Sequence, residues 1–597
     1  MAKRRKTAAA KRNKEEKREK RAPGFQAKAG KKTLRSYEVG AMPIINHIIR
    51  RMRLPDILKE FLPDDSRSKL SAYRTVLVLV RNLLIAREPI YGLGQWAARF
   101  APDLLDLCPN EIERLNDDRA GRTLERMFDA LASEMTVTVV RQVLAEFRIN
   151  MDELHNDSTS VSFYGAYDQA EEEGKVRGQQ TLAITFGHSK DHRPDLKQLL
   201  FILTVSDDGG VPIYFTSASG NTSDDTTHRQ TWDLLCQLAG RKDFLYVADC
   251  KLASSENMAH IAREGRFITV LPRSRKEDKQ FRKQLLKKPS SVRWDDVYTV
   301  TKTVKFKDVE QEIEVDRLTV VSDEMVSNDG YRLLWYHSTR KAEHDARYRA
   351  GSLQRANREL TELRERLSGP RTRFKDRKKV DEGVQEIVKR LKEESLLIVT
   401  VEQREEGTFR QAGKGRPGKN TKYVKKIKKR FEISWSIDTV RLAEAEATDG
   451  IFPLISNVDE MTPEEILRAY KRQPIIEKRF SQLKTDFAVA PIYLKSVTRI
   501  QGLLAVYFLT LIIQTLLERE LRQAMEREKI KSLPLYPEER DCRCPTARKV
   551  IDLFDGIQRH ELKQPGQETE VMVTELSPLQ KQILGLMGIS AKSYGHP

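Results

Sequence analysis

The sequence predicts a mixed α/β sheet core, interrupted by a large inserted α+β segment and preceded by an all-α region. Three observations carry this. Short β-type runs begin at residue 152, first in meander and then alternating with helical stretches. Residues 273–445 break that alternation with longer β-type runs and one long charged helical stretch. Residues 37–150 carry apolar residues at helical spacing.

Composition bounds the function. The chain has 597 residues, enough for several domains, with 106 Lys and Arg against 87 Asp and Glu, a net +19. Residues 1–33 hold 14 basic residues and 3 acids, so +11 of the excess lies at the N-terminus. Residues 1–36 are therefore expected to be a disordered basic arm of the kind that embraces phosphates. The remainder is still basic, which points to a polyanionic partner, nucleic acid first. Five cysteines are few and odd in number, which fits a reducing compartment and excludes a disulfide scaffold. Cys542 and Cys544 have no matching Cys/His pair to complete a metal site. The N-terminus has no apolar stretch of a secretory signal. The longest uncharged apolar run, Gly502 to Leu517, is short of the roughly 20 residues that span a bilayer. It is expected to be a buried core helix, and no membrane partner is expected.

In chain order, helical periodicity runs through 44–52, 73–85 and 124–147, with breaks near Pro63, Pro89 and Pro102. This region, 37–150, is expected to serve DNA binding or assembly. The core is expected over 151–272. A first strand at 154–163 carries Asp157, and further strands are expected at 182–186, 199–205 and 213–215. Asp207-Asp208-Gly209-Gly210 reads as a turn. A helix follows at 226–238, then an apolar strand at 244–248 ending in Asp249, a helix at 255–263 and a strand at 267–271. The insert has strands at 297–306, 333–336 and 431–437. Leu353, Leu360, Leu363 and Leu367 lie at coiled-coil-like spacing, suited to dimerising or to packing within the insert. A Gly/Lys/Arg loop from Gly413 to Arg430 is a candidate phosphate-contact surface, and Trp294, Trp335 and Trp435 are expected to pack the insert. Residues 449–457 return to the core, whose second part spans 446–520. Residues 521–597 are expected to be a helical tail.

The stretch from Thr462 to Lys484 reads as a helix. Thr462 suits the N-cap, Pro463 the first helical position, and Glu465 completes a capping box. Tyr470, Gln473, Glu477 and Lys484 fall near one face, while Ile476, Phe480 and Leu483 form a stripe that suits packing. Pro474 removes an N–H and is expected to kink or restart the helix just before Glu477.

Three acids thus stand at special places: Asp157 inside the first strand, Asp249 at the end of a buried strand, and Glu477 on the late helix. Carboxyl ends of strands line the usual crevice of an α/β sheet. An acid inside an apolar strand is costly without a partner. Three converging carboxylates repel one another without cations, and hard Mg²⁺ or Mn²⁺ fits oxygen ligands. Two such ions clamp the attacking and leaving oxygens of a phosphodiester. Charge, acids and basic helix converge on phosphoryl transfer in nucleic acid. Lys190 and Arg193 suit phosphate contacts, while His188 and His192 suit a polar surface loop.

The chain resembles the DDE transposases of bacterial insertion sequences. It is most similar to the branch whose signature helix reads Tyr, two residues, Arg, three residues, Glu, six residues, Lys. Tyr470, Glu477 and Lys484 match at those intervals, and Gln473 stands at the arginine position with Arg472 beside it. The segments beginning at Val39, Leu115, Asp157, Gly187, Val247 and Asp449 are also similar to the family, over roughly residues 37–520. After Asp249 the chain departs from the pattern with Cys250-Lys251-Leu252. The resemblance implies an RNase H-like core with 273–445 as an insertion domain. It implies two Mg²⁺ (or Mn²⁺) ions held by Asp157, Asp249 and Glu477. It also implies double-stranded DNA, both transposon ends and target, as partner, and a homodimer on that DNA in the bacterial cytoplasm and nucleoid. Tyr470, Arg472, Gln473 and Lys484 would join Lys190 and Arg193 as DNA contacts. The competing readings are an RNase H-like nuclease without strand transfer and a DNA-binding repressor without chemistry.

Overall fold

The long apolar run folds as the middle of one helix, Val497–Arg527, in the computed structural model of the chain. By length and composition this helix would suffice to cross a membrane, but its whole apolar window is buried inside the protein. The structure describes residues 33–595 except 65–67, 307–308, 370–371, 373, 375, 392–395, 491, 537 and 565–567. The basic arm over residues 1–32 lies outside the described residues. By its contacts the chain forms two compact units, Met1–Ile268 with Arg468–Pro597, and Thr269–Leu467.

The first unit opens with strand β1, Thr33–Glu38, which takes in the end of the stretch expected to be disordered. Helices Met42–Arg51, Leu54–Phe61, Ala72–Ile85, Asp117–Ala130 and Met135–Phe147 follow. The periodicity at 124–147 is two helices rather than one. The Ser133 hydroxyl bonds the Ala130 carbonyl at 2.6 Å and accepts from the Met135 N–H, offering the backbone an exit from the helix.

The core sheet contains β2 (Glu153–Phe163), β3 (Lys197–Ser206), β4 (Pro212–Ser219), β5 (Leu245–Ala248) and β6 (Arg266–Val270), in the order β4-β3-β2-β5-β6. The first three strands pair antiparallel. β5 joins β2 in parallel, and β6 joins β5 in parallel. This is a mixed α/β arrangement with a mixed sheet. β2 is buried along nearly its whole length, so both faces are covered and its polar residues lie inside. Residues 182–186 do not form the expected strand; only Thr185 bridges to Gln198. Side chains replace the ladder here. The Leu182 N–H donates to the Gln501 side-chain oxygen (3.2 Å) and the Ala183 N–H to the Ser219 hydroxyl (3.0 Å).

The second unit contains β7 (Trp294–Phe306), β8 (Val309–Val321), β9 (Arg332–Ser338), β10 (Leu397–Gln411), β11 (Tyr423–Ile437) and β12 (Ile451–Ser456). β12, β9, β8 and β7 pair antiparallel in that order, and β10 pairs with β11 in a two-stranded ribbon among the described residues. The charged helix spans Thr339–Ser368. Leu360, Leu363 and Leu367 pack with Val380, Val384, Phe431 and Ile433, so this stripe builds the insert's own core. Trp335 stacks on Phe281 at 3.8 Å, and Trp435 donates to Asn357 at 2.9 Å. The expected basic loop is shorter than its composition suggested, because β11 already begins at Tyr423.

Back in the first unit, residues 521–597 contain strands β13 (Gln558–Lys563) and β14 (Glu570–Val573) as well as helices. β13 pairs with β1 and β14 with β13, all antiparallel. The N-terminal helices share this unit with the core sheet: those at Ala72–Ile85 and Asp117–Ala130 pack on the Val497–Arg527 helix. Where that helix crosses the Asp117–Ala130 helix, a Cβ on Gly502 would stand 2.0 Å from the Leu124 carbonyl oxygen.

Gly502→Ala is therefore expected to destabilise the protein by about 1–3 kcal/mol, measured as a lowered urea midpoint. Gly351→Ala, in open space within the Thr339–Ser368 helix, is expected to be neutral or stabilising by up to about 1 kcal/mol in the same assay.

Candidate active site

All nine sequence-derived candidates lie in the unit formed by Met1–Ile268 and Arg468–Pro597. Strand register brings two of the acids side by side. Asn156 on β2 pairs with Ala248 on β5, so Asp157 and Asp249 occupy the next position on adjacent parallel strands. Asp249 stands at the carboxyl end of β5, and its carboxylate accepts from the Lys251 N–H at 3.0 Å. Burial pushes the Asp157 carboxyl up, and neighbouring Asp249 adds to this. The Lys190 ammonium, at 3.0 Å, and the Ser158 N–H counter only part of the rise. Lys190 also donates to the Ser158 carbonyl at 2.7 Å, which fixes its head group over the strand.

The late helical stretch is in three pieces. Thr462 and Glu465 form the expected reciprocal cap, with Thr462 N–H to Glu465 at 2.8 Å and Glu465 N–H to Thr462 at 3.2 Å. A first helix, Pro463–Lys471, stops two residues before Gln473. A second, Pro474–Ser481, restarts at the proline, with Gln473 at its N-cap position. A π-turn, Gln482–Asp486, then carries Lys484. Ile476 and Leu483 are fully buried and Phe480 nearly so, which leaves Glu477 on the exposed side. The Tyr470 phenol lies among the acids. Burial pushes it up to about 12, helped in order by Asp249, Cys250, Glu477 and Asp157. One hydroxyl thus senses all three carboxylates.

The basic candidates divide. Lys190 sits on Asp157, and Lys484 reaches Asp191 at 2.5 Å, next in sequence to Lys190. Arg193 holds Asp195 with two hydrogen bonds of 2.8 and 2.7 Å and lies over the Tyr164 ring. Arg472 makes a two-pronged ion pair with Glu153, on the same face of β2 as His155 and Asp157. Burial raises the Glu153 carboxyl, but Arg472 and His155 more than offset this and hold it below its ordinary value. The Arg472 fork anchors the start of the Glu477 helix to the strand that carries Asp157.

A second anchor escaped the sequence reading. Arg479, 1% exposed, donates to the carbonyls of Gly210 (3.0 Å) and Gly209 (2.6 Å) and pairs with Glu518 at 3.1 Å. Glu518 is fully buried on the Val497–Arg527 helix. It also accepts from Lys478 (2.9 Å), Gln482 (2.8 Å) and the Ala547 N–H (3.2 Å). The Gly209-Gly210 turn admits this approach. Both glycines have positive φ, and a Cβ on Gly210 would stand 2.7 Å from Ile475. Asp208 of the same turn binds Arg519 at 2.8 and 2.6 Å. The signal for this network was the abrupt Glu518-Arg519 after sixteen uncharged residues, Gly502 to Leu517.

Among the described residues no three His, Cys, Asp or Glu side chains stand close enough to hold a metal ion. Asp157 and Asp249 present hard oxygen donors side by side, with the Lys190 ammonium supplying positive charge at Asp157.

Glu518→Ala leaves Arg479 buried without its carboxylate and is expected to cost about 3–5 kcal/mol, measured by urea unfolding, with Glu518→Gln losing less. Burial raises the Glu518 carboxyl, and Arg479, Lys478 and Arg522 together hold it below its ordinary value. Its contribution to stability is then present above about pH 4.5 and is lost as pH falls through the depressed value, a dependence expected to vanish in Glu518→Gln.

Residues 34–141 match a family model described as a domain of unknown function, DUF4277, which covers N-terminal helices and none of the candidate site residues. No curated protein matches the chain. Among solved structures the chain is similar to a piggyBac transposase synaptic complex with hairpin DNA, solved by cryo-EM. The identity is 9%, over 50% of this chain and 59% of that chain, with a TM-score of 0.22.

Proposed function

We propose that the chain is a DNA transposase with an RNase H-like core, acting by metal-dependent phosphoryl transfer. The observation that carries this reading is the placement of Asp157 and Asp249 one residue past the paired Asn156 and Ala248 of adjacent parallel strands, with the Tyr470 phenol feeling both of them and Glu477. The order β4-β3-β2-β5-β6, antiparallel then parallel, suits an RNase H-like core. Asp157 and Asp249 would hold Mg²⁺ (or Mn²⁺), and Glu477 would complete the ligands from the facing helix. When bound, the ions neutralise charge on the attacking and leaving oxygens of a phosphodiester.

The chain's own residues do the positioning. Lys484 and Lys190 flank the acids and would meet the phosphates of a transposon end, with Arg193 further along the same loop. The Tyr470 hydroxyl would donate to a phosphate oxygen. Arg472 acts through Glu153 as a positioning residue, and Gln473, at the N-cap position of the helix that carries Glu477, leaves its side-chain amide uncommitted to that helix and would meet the DNA. A phosphodiester is first hydrolysed to free a 3′-OH. That hydroxyl then attacks target DNA in line, displacing a second 3′ oxygen. Two copies of the chain would pair the two ends.

The test is a labelled duplex carrying the DNA that flanks the coding sequence, incubated with the full chain in Mg²⁺ and in chelator. Cleavage at the element's end is expected in Mg²⁺ only. Asp157→Asn, Asp249→Asn and Glu477→Gln are each expected to reduce it at least a hundredfold, the order of losing about 3 kcal/mol of transition-state stabilisation. Cleavage unchanged in any variant removes that residue from the ligand set. Cleavage without joined donor–target product makes the chain a nuclease instead, and binding without cleavage a repressor.

A further inference from the structure

Strands β10 and β11 pair over fifteen residues, from Leu397 opposite Ile437 to Gln411 opposite Tyr423. Residues directly opposite share a face of such a ribbon. Near its base one face carries Trp435, Ile433 and Phe431, which pack against the leucine stripe of the Thr339–Ser368 helix. Past Phe431 the same face continues uncovered. Ile427, Phe409 and Tyr423 are 54%, 69% and 54% exposed. From Gly407 to Lys429 the ribbon holds nine Lys and Arg and no Asp or Glu. Among the described residues none of those nine has an ion-pair partner, whereas Arg404 and Arg430 nearer the base do. Lysines on an exposed strand also guard against edge-to-edge pairing. That purpose explains single charges. It does not explain nine cations facing only two acids, Glu405 and Glu406 opposite Lys429 and Lys428, or a phenyl and a phenol held in water beside them.

We infer that this ribbon is a DNA-binding arm, lying in a groove of a DNA duplex with its lysines on phosphates and Phe409 and Tyr423 against sugars and bases. A two-stranded ribbon fits the major groove. At about 3.4 Å per residue the nine pairs from Gln403 to Gln411 extend roughly 30 Å, enough to follow many phosphates. The inference takes its partner from the transposase reading and gives that partner a contact surface apart from the acids.

The test uses the full chain in chelator, so that no chemistry intervenes, and a fluorescent DNA duplex titrated across a salt series. Lys425, Lys426, Lys428 and Lys429 are all exposed, and the fourfold Lys→Gln variant is expected to keep the wild-type melting temperature. The slope of log affinity against log salt is expected to fall by about 3 to 4 in magnitude. Phe409→Ala with Tyr423→Ala is expected to weaken binding several-fold at every salt concentration with the slope unchanged. A fourfold variant that melts like wild type and keeps the wild-type slope overturns the arm while leaving the transposase reading intact. Wild type that binds no duplex overturns both. Tighter binding to duplex RNA, or to phosphatidylserine vesicles, also overturns the arm as a DNA surface.

Discussion

The buried carboxylate of Glu518 fixes where the Glu477 helix can lie. A charge inside a protein is tolerable only when opposite charge and hydrogen bonds surround it. Here Arg479 and Lys478 come from the Glu477 helix itself, Gln482 from the turn that follows, and Arg522 from one turn along the core helix. Rotating the Glu477 helix about its axis would strand Glu518 and Arg479 in an apolar core. The orientation that satisfies them is the one that leaves Glu477 exposed on the opposite side.

The same logic holds at the other end of the stretch. Arg472 is tied to Glu153, four residues before Asp157 on the same strand. The Gly209-Gly210 turn, which follows the neighbouring strand at its end beside Glu153, receives Arg479 through two backbone carbonyls. Helix and sheet are thus joined by charged, directional contacts at both ends, with Ile476 and Phe480 filling between. Directional contacts hold a site to a narrower geometry than apolar packing alone, because a guanidinium bonds well only in its own plane.

Electrostatics at the acids is unbalanced as it stands. Asp157 is burdened by burial and by Asp249, and Lys190 relieves only part of this. Cationic side chains line the approaches, at Lys484 and Arg193, but each is held by a local acid, Asp191 or Asp195. A polyanion entering there would compete for those cations, while a divalent ion would relieve the acids. The outer part of the ribbon in the second unit has the opposite character: among the described residues its cations from Arg410 to Lys429 have no ion-pair partner to leave, unlike Arg404 and Arg430 nearer the base.

Much of the fold was legible because it rests on local rules. The capping box at Thr462, the proline restart at Pro474, the Asp207–Gly210 turn and the apolar runs of β3, β5 and the core helix all follow from short-range propensities. Asp249 stood out as the acid ending an apolar strand for the same reason, and Asp157 as an acid within the first strand. Other features were hidden because their causes are distant. β1 and β13 are polar strands that pair across more than 500 residues, so no local pattern marks them. Residues 182–186 looked like a strand, but their N–H groups go instead to distant partners, Leu182 to Gln501 and Ala183 to the Ser219 hydroxyl. The sequence by itself determined the types of the apolar and capped elements, the basic excess and the acids at strand and helix. Only the tertiary structure decided which cations bind which acids, because an ion pair depends on side chains meeting in space and not on spacing along the chain.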